Sequence, residues 1–292
     1  MATMNIRFFS QVLTRSVSFT AYLPTDRPSF LEEEEKKPFP TLYLLHGMVG
    51  DEHTWESVGA LYELSYRYRL AIILPTGENS FYCDSALTNR NFGSFISEEL
   101  VEFTRNTLPL SRKREETFIG GMSMGGFGAF VNGLRHPQTF GAITAFSAAL
   151  IKQLILRADD EPGLDYFTRI QYQSMFGLEK IEDFEGSDCD YEALARRLAA
   201  SDLQKPRIYM DCGTEDVSLY KANSAFCKLL KDLGYEVNWD SRPGGHDTIF
   251  WNDSLRKAAQ WLPIELLTMK PDSPYMQKEK IRTDAMTRKM TM

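Results

Sequence analysis

This sequence has few of the residues that build metal centres and disulfide frameworks, and it has no apolar run of the length that a membrane span needs. Of its 292 residues, four are cysteines and four are histidines. The cysteines lack the close spacing of metal ligands, so we expect free, buried thiols in a reducing compartment and no bound metal. No apolar run approaches the roughly 20 residues that a membrane-spanning helix needs. The four cysteines are Cys83, Cys189, Cys212 and Cys227.

The charge is not of the kind that attracts nucleic acid or an acidic membrane. The net charge is −7 at pH 7, and acidic and basic residues are mixed along the chain without a basic amphipathic helix. The N-terminus carries Arg7 and Arg15 but neither an uninterrupted apolar core nor a small-residue cleavage site. We therefore expect no signal peptide, a cytoplasmic protein, and a small molecule as its partner rather than nucleic acid or membrane.

Length and composition fit a single α/β domain. Because 43% of the residues are hydrophobic, the chain can bury one large core. We expect this domain to span residues 1–268. Residues 269–292 are polar and rich in Lys, Arg and Met, and we expect them to form a flexible tail.

Apolar runs of strand length alternate with helical patterns over most of the chain. This alternation predicts a mostly parallel sheet with helices on both faces. The predicted strands are residues 6–10, 16–23, 42–45, 70–74, 117–119, 142–146, 207–210 and 235–239. The predicted helices are residues 58–66, 93–107, 124–135, 219–233 and 248–261.

The G-x-S-x-G motif of residues 121–125 places Ser123 between a predicted strand and a predicted helix. A serine on so sharp a turn has a strained backbone, so the residues two positions away on either side must be small. The turn exposes the Oγ atom, and the helix N-terminus behind it favours developing negative charge. The motif predicts a catalytic serine, and a glycine-rich turn without catalytic function is the alternative.

A serine nucleophile needs a base, and the histidines of this chain offer one candidate at the required place. In one known arrangement of the triad, the serine is followed along the chain by an acid and then by the histidine. Of the four histidines, only His246 lies well downstream of Ser123. It occupies a glycine-rich loop after a predicted strand, from which it can reach a nucleophile on a neighbouring strand. We predict that His246 is the general base, with a purely structural loop histidine as the alternative.

Three carboxylates in one segment are candidates for the acid that orients this histidine. Residues 206–210 predict a buried strand, and the loop at its carboxyl end is where ligand sites of parallel sheets lie. Asp211 stands at the strand end, where a side chain tends to cap the loop backbone, whereas Asp216 is far enough out to turn back. We favour Asp216. Glu215 and Asp211 remain alternatives, and turn or helix capping is the other interpretation of each.

The oxyanion hole is predicted from the strand that ends in His46-Gly47. Such a pair after the third strand supplies one backbone N–H, and the residue after the nucleophile supplies the other. This assigns the amides of Met48 and Met124 as the two donors. We interpret His46 as structural, holding its loop by hydrogen bonds.

Several motifs together carry a resemblance to a known family. They are residues 43–47 (YLLHG), 81–84 (FYCD), 120–129 (GGMSMGGFGA), 212–216 (CGTED) and 243–247 (PGGHD), with Trp55 and residues 250–251 (FW). On these motifs the chain resembles the esterase D group of α/β-hydrolases, and within it the small bacterial tributyrin and cinnamoyl (feruloyl-type) esterases, from about residue 4 to residue 262.

The resemblance implies an α/β-hydrolase fold in which Ser123, Asp216 and His246 form the triad. It also makes a homo-oligomer plausible. The related S-formylglutathione hydrolases usually lack the plain His-Gly pair, so its presence here favours a carboxylesterase over that thioesterase.

Substrate contacts are predicted from two regions. Residues 150–205 exceed what a single crossover helix needs, which predicts a small cap over the serine. Their aromatic side chains could line an acyl or aryl pocket, although most aromatics in such segments pack the cap onto the body. Tyr82 and Asp84 follow the fourth strand at the active edge of the sheet, and a turn residue is the alternative for Asp84. The candidates are Trp55, Tyr82, Asp84 and Phe176, with Tyr166, Phe167, Tyr172 and Met175 as further cap residues.

The predicted reaction is a two-step acyl transfer to water, on short-acyl or hydroxycinnamoyl esters, without a metal or organic cofactor. A thioesterase or an acyltransferase on the same triad is the first alternative. A binding or scaffold protein is the second, and the intact set of catalytic parts argues against it. A protein without catalytic function has no physical reason to keep a strained serine turn.

Overall fold

The computed structural model describes residues 2–26, 38–160 and 167–266, and the predicted tail over 269–292 lies outside them. The strands in these residues are β1 (Ala2–Ser10), β2 (Arg15–Leu23), β3 (Thr41–Leu45), β4 (Ala71–Pro75), β5 (Thr117–Met122), β6 (Ala142–Phe146), β7 (Arg207–Gly213) and β8 (Val237–Arg242). They form one sheet in the order β1-β2-β4-β3-β5-β6-β7-β8. β1 pairs antiparallel with β2, and β2 with β4, while all pairs from β4 to β8 are parallel.

Helices connect the parallel strands. In the same residues they are α1 (Thr54–Val58), α2 (Leu61–Arg67), α3 (Phe92–Ser94), α4 (Leu100–Thr107), α5 (Met124–Arg135), α6 (Lys152–Arg157), α7 (Arg169–Phe176), α8 (Tyr191–Ala199), α9 (Tyr220–Asp232) and α10 (Thr248–Trp261). A π-helical segment, Phe95–Glu99, joins α3 to α4. Short 3₁₀ turns lie at Arg114–Glu116 and Ile181–Phe184. None of the helices described is long and apolar enough to cross a membrane.

The two faces of the sheet are buried in separate cores. Along β3, Tyr43 and Leu45 enter the core beneath α3 to α9, and Leu42 and Leu44 enter the core beneath α1, α2 and α10. Successive side chains of a strand point to opposite faces, so an unbroken apolar run is what a strand covered on both faces requires. The predicted mostly parallel sheet with helices on both faces is confirmed.

One predicted helix is wrong in its boundaries. Residues 58–66 were expected to form one continuous helix, but α1 ends at the first residue of this stretch, Val58, and α2 begins within it at Leu61. Gly59 and Ala60 separate the two helices with φ angles of 86° and 65°. Positive φ is incompatible with a right-handed helix, so the chain must turn there.

Because β3 and β5 to β8 run parallel, their carboxyl ends meet at one edge of the sheet. The loops after β3, β5, β7 and β8 carry the predicted functional residues to that edge. Residues 150–205, the predicted cap, contain α6, α7 and α8 together with the second 3₁₀ turn.

Candidate active site

Ser123 lies on a tight turn between β5 and α5. Its φ and ψ angles are 53° and −117°, a combination that non-glycine residues rarely adopt. Hydrogen bonds hold the turn, since the Ser123 amide donates to the Phe146 carbonyl at 2.9 Å and the Ser123 carbonyl accepts from Ala149 at 2.9 Å. A strained residue of this kind costs about 1–3 kcal/mol and persists only where its surroundings fix it.

The glycines on either side of Ser123 are required by close backbone packing. A β-carbon on Gly125 would meet the Leu45 carbonyl and lie 2.7 Å from the His46 carbonyl oxygen. A β-carbon on Gly121 would lie 2.5 Å from the Gly125 carbonyl carbon. All these obstacles are backbone atoms, so no rotamer change could relieve the clash.

His246 reaches Ser123 from the loop after β8. Its Nε2 atom lies 3.0 Å from Ser123 Oγ, and its Nδ1 atom lies 2.8 Å from Asp216 Oδ2. With Nδ1–H donating to the carboxylate, Nε2 is free to accept the serine proton. The Trp251 ring stands perpendicular to the imidazole, with the ring centroids 4.9 Å apart.

The three candidate acids have separate environments, and only Asp216 contacts the histidine. Asp216 is 4% exposed and also accepts a hydrogen bond from the Leu219 amide at 3.1 Å. Glu215 is exposed to solvent on the same loop. Asp211 is fully buried and accepts from Arg242 at 2.9 Å on the face of the sheet that α10 covers. The structure therefore brings Ser123, His246 and Asp216 into one chain of hydrogen bonds.

The pKa values of the two buried carboxyls shift in opposite directions. Burial tends to raise the pKa of Asp216, but the His246 hydrogen bond and charge, with the Leu219 and Ser218 amides, outweigh it and lower that pKa below its usual value. Burial raises the pKa of Asp211, and the Arg242 guanidinium opposes that rise. Asp216 is thus the carboxyl held in the ionised form that can stabilise an imidazolium.

The loop after β3 passes close to the serine turn. The first amide of α5 belongs to Met124, and the first N–H groups of a helix have no acceptor within the helix. His46 holds this loop, because its Nδ1 lies 2.6 Å from the Gly47 carbonyl and its Nε2 accepts from the Gly77 amide at 2.8 Å. Burial lowers the pKa of His46, against the opposing hydrogen bond to Gly47. The structural interpretation of His46 is confirmed.

A cavity of about 540 Å³ opens beside Ser123 and His246. Its walls are mostly apolar, and they combine the catalytic loops with the predicted cap. Besides Ser123, Asp216 and His246, its lining consists of Gly47, Met48, Val49, Thr54, Phe81, Met122, Ala149, Ile151, Leu154, Phe167, Tyr172, Ser218, Leu219, Thr248 and Trp251. Phe167 and Tyr172, two of the aromatic residues in the predicted cap, are among these lining residues. Tyr166 lies outside the described residues.

Two of the predicted substrate contacts, Trp55 and Tyr82, lie in the core and not on the cavity wall. The Trp55 indole N–H donates to the Leu45 carbonyl at 2.9 Å, and the side chain is 1% exposed. The Tyr82 hydroxyl donates to the His46 carbonyl at 3.0 Å, and its ring is fully buried. Both side chains hold the backbone at the end of β3 from within the core, so their predicted contact with substrate is wrong.

Asp84 and Phe176 also lie away from the cavity wall. Asp84 accepts from the Ser94 amide and hydroxyl at 2.8 Å each and pairs with Arg135 at 3.4 Å. These contacts agree with the alternative interpretation of Asp84 as a turn residue. Phe176 is 3% exposed and packs its ring against Phe81, with centroids 5.2 Å apart. It joins the cap to the body.

Most of the wall was not anticipated from the sequence. Ile151 and Leu154 come from the start of the cap, and Trp251 comes from the first turn of α10. A helical spacing of three residues between Ile151 and Leu154 was the available signal, but core residues share it. Phe81 lines the cavity while its neighbour Tyr82 does not, a difference that residue type alone cannot reveal.

Comparison with known proteins identifies relatives along nearly the whole chain. Residues 10–262 match the family model described as "Putative esterase". An acetyl esterase of Caldicellulosiruptor saccharolyticus is 39% identical over 264 residues, which cover 90% of this chain and 98% of that protein.

Two solved structures from Staphylococcus aureus are similar in three dimensions. The substrate-bound fluorophosphonate-binding serine hydrolase F has a TM-score of 0.77 and 27% identity, over 89% of this chain and 98% of that chain. An S-formylglutathione hydrolase has a TM-score of 0.75 and 26% identity over the same shares.

Replacing Gly125 with alanine tests the close packing of the serine turn. We expect Gly125→Ala to lower the free energy of unfolding by roughly 1–3 kcal/mol, because the new methyl group meets two backbone carbonyls. Gly47→Ala is the matched control, since a β-carbon there would lie 3.6 Å or more from its neighbours. Urea unfolding of both variants measures the difference, and equal losses would contradict this account.

Proposed function

Because the chain belongs to the esterase family of serine hydrolases, with the α/β-hydrolase fold and carboxylic ester hydrolase activity, we propose that Ser123, His246 and Asp216 are its catalytic triad. The observation that carries this proposal is the hydrogen-bond chain of 3.0 Å and 2.8 Å through the imidazole of His246. The positions of these three residues at strand ends, and their order along the chain, also agree with the sequence prediction.

The proposed chemistry is acyl transfer in two steps. His246 Nε2 takes the hydroxyl proton as Ser123 Oγ attacks the ester carbonyl, and Asp216 stabilises the imidazolium that forms. The imidazolium then gives this proton to the departing alcohol, which leaves an acyl-enzyme. Water, deprotonated by the same histidine, attacks the acyl carbonyl and releases the acid. Every step uses side chains of this chain and needs no cofactor.

The proposed oxyanion donors are the amides of Met48 and Met124. Met48 belongs to the loop after β3, which meets the serine turn. Met124 is the first residue of α5, so its amide lies at the positive end of that helix. Loss of one such donor typically costs about 3 kcal/mol in the transition state. Because both donors are backbone groups, the close packing of Gly125 on β3 sets the distance between them.

We propose a short-acyl ester as substrate. A cavity of 540 Å³ with apolar walls suits a small uncharged ester, and the acetyl esterase relative acts, by its name, on acetyl esters. A hydroxycinnamoyl ester is the second candidate substrate, because Phe81, Phe167 and Tyr172 give the cavity aromatic surface. We place the acyl chain against Ile151 and Leu154, which follow the Ala149 contact with the serine turn.

A thioesterase is the alternative that a specific observation favours. The S-formylglutathione hydrolase structure resembles this chain at a TM-score of 0.75. The plain His46-Gly47 pair argues for the oxygen ester. Matched acetyl esters and acetyl thioesters, compared by kcat/KM, distinguish the two.

The first test compares the native protein with Ser123→Ala on p-nitrophenyl esters from acetate to decanoate, with methyl ferulate alongside. We expect the highest kcat/KM on acetate or butyrate, and a loss of about 10⁶-fold in kcat for the variant. Faster ferulate turnover would instead assign the aryl pocket. Retained activity in Ser123→Ala, with unchanged folding by circular dichroism, would contradict the proposed nucleophile.

The acid is tested by neighbouring substitutions on one loop. We expect Asp216→Asn to lower kcat by about 10⁴-fold, because an amide no longer holds the imidazole in the productive tautomer. Glu215→Gln should retain native kcat, since the Glu215 side chain is exposed and Asp216 makes the contact with His246. Initial rates on p-nitrophenyl butyrate measure both, and a larger loss in Glu215→Gln would reassign the acid.

The proposed contact between the acyl chain and Leu154 is tested by shortening that side chain. Truncation in Leu154→Ala should raise kcat/KM for octanoate and decanoate relative to butyrate, because the shorter side chain lengthens the cavity. Leu203→Ala is the control, as Leu203 is 56% exposed and absent from the cavity lining. If the chain-length profile of Leu154→Ala follows that of the native protein, the acyl chain lies elsewhere.

A further inference from the structure

Arg242 is the most highly connected side chain beside the catalytic loops, and the proposed mechanism assigns it no function. It is the last residue of β8, and its side chain is 15% exposed. Its guanidinium contacts five acceptors, which are Asp240 at 2.7 Å, Ser254 at 2.8 Å, Asp211 at 2.9 Å, Asp253 at 2.9 Å and the Phe250 carbonyl at 3.3 Å.

These contacts bridge the two ends of the histidine loop. Asp211 and Asp240 belong to β7 and β8, whereas Phe250, Asp253 and Ser254 belong to the first turns of α10. The guanidinium also stacks on the Phe250 ring, 3.9 Å from its centroid. Residues 243–247, which include His246, form the loop between these two anchors. One side chain therefore fixes where this loop leaves the sheet and where it enters the helix.

The backbone of the same segment holds the acid loop. The Arg242 carbonyl accepts from the Thr214 amide at 2.9 Å, and the Gly244 carbonyl accepts from the Glu215 amide at 3.0 Å. The loop that carries His246 is thereby fixed to the loop that carries Asp216. Ser123 lies on a separate turn after β5, so the position of the Arg242 anchor bears on the distance between the imidazole and Ser123.

The pairing with Asp211 adds a second consequence of losing Arg242. Asp211 is fully buried, and its other polar neighbours are the Ser254 side chain and the Tyr209 hydroxyl, the latter 3.5 Å away. Without the guanidinium, a buried carboxyl would be left unpaired, which is strongly destabilising. Buried ion pairs themselves add little net stability, because desolvation offsets the attraction. Geometry, rather than stability, is what such a pair can supply here.

We propose that Arg242 is a positioning residue for the catalytic base: it clamps the loop between β8 and α10 so that His246 stays within hydrogen-bond distance of Ser123 and Asp216. The inference rests on the proposed triad. Arginine is suited to this task because its planar guanidinium presents five N–H donors in fixed directions, which a lysine ammonium cannot reproduce.

The test separates loop positioning from the neutralisation of Asp211. Four variants are compared: Arg242→Met, Arg242→Lys, Asp211→Asn and the double variant Arg242→Met/Asp211→Asn. For each we measure Tm, kcat and KM on p-nitrophenyl butyrate, and the rate and final extent of labelling by a fluorophosphonate. Lys257→Met is the control, because Lys257 contacts Asp240 at 3.0 Å and Asp253 at 3.5 Å, and is 40% exposed.

We expect Arg242→Met to lower kcat on the order of 100-fold, with KM little changed and labelling slowed but still complete. The double variant should regain Tm, because no unpaired carboxyl remains, and yet keep the low kcat. Arg242→Lys should fold and still lose kcat, since it cannot bridge β7, β8 and α10 together. Asp211→Asn and Lys257→Met should retain native kcat.

Two results would overturn the inference. Recovery of kcat together with Tm in the double variant would mean that Arg242 only neutralises Asp211. Native kcat in folded Arg242→Lys would mean that the bridge between β7, β8 and α10 is not needed. If Arg242→Met does not fold, Arg242→Lys alone tests whether Arg242 positions His246. Failure of the proposed function is distinct, because native protein would then leave all the esters intact or Ser123→Ala would retain activity.

Discussion

The close packing of the serine turn on the end of β3 is the constraint on which the site depends. Gly121 and Gly125 bring the backbone of this turn against the carbonyls of Leu45 and His46. The same contact fixes the loop after β3 relative to Ser123, so the proposed nucleophile and both proposed amide donors share one rigid assembly of backbone atoms. Such preorganisation is what a charge developing in the transition state requires, because no atoms need to move when it appears.

Two buried carboxyls, one within β7 and one just after it, lie in different environments. Asp211 lies within β7 and faces α10, where it meets Arg242, whereas Asp216 lies past the strand end and turns to His246. Two carboxyls five residues apart thus have different partners and opposite pKa shifts. Asp216 contacts His246 directly, whereas Asp211 contacts Arg242, the residue that we propose positions the histidine.

Sequence reasoning reached the parts of the molecule that local chemistry determines. The strained turn requires glycines at fixed spacing, and the strand ends follow from apolar runs. Chain order indicated His246, and the distance beyond the strand end favoured Asp216 as the acid. The substrate contacts were beyond it. Trp55, Tyr82, Asp84 and Phe176 stand at the expected edge of the sheet, but whether each points to the cavity depends on long-range packing. The break at Gly59 and Ala60 was missed because helix periodicity continues across it.

The division between backbone and side chains also bears on how specificity can vary. The proposed oxyanion donors and the serine turn are fixed by backbone contacts beneath the cavity. Part of the wall consists of side chains from residues 150–205, namely Ile151, Leu154, Phe167 and Tyr172. A substitution in that wall changes the space for the substrate without moving the backbone contacts that hold Ser123. Substrate preference can therefore differ between proteins with this fold while the catalytic geometry stays the same.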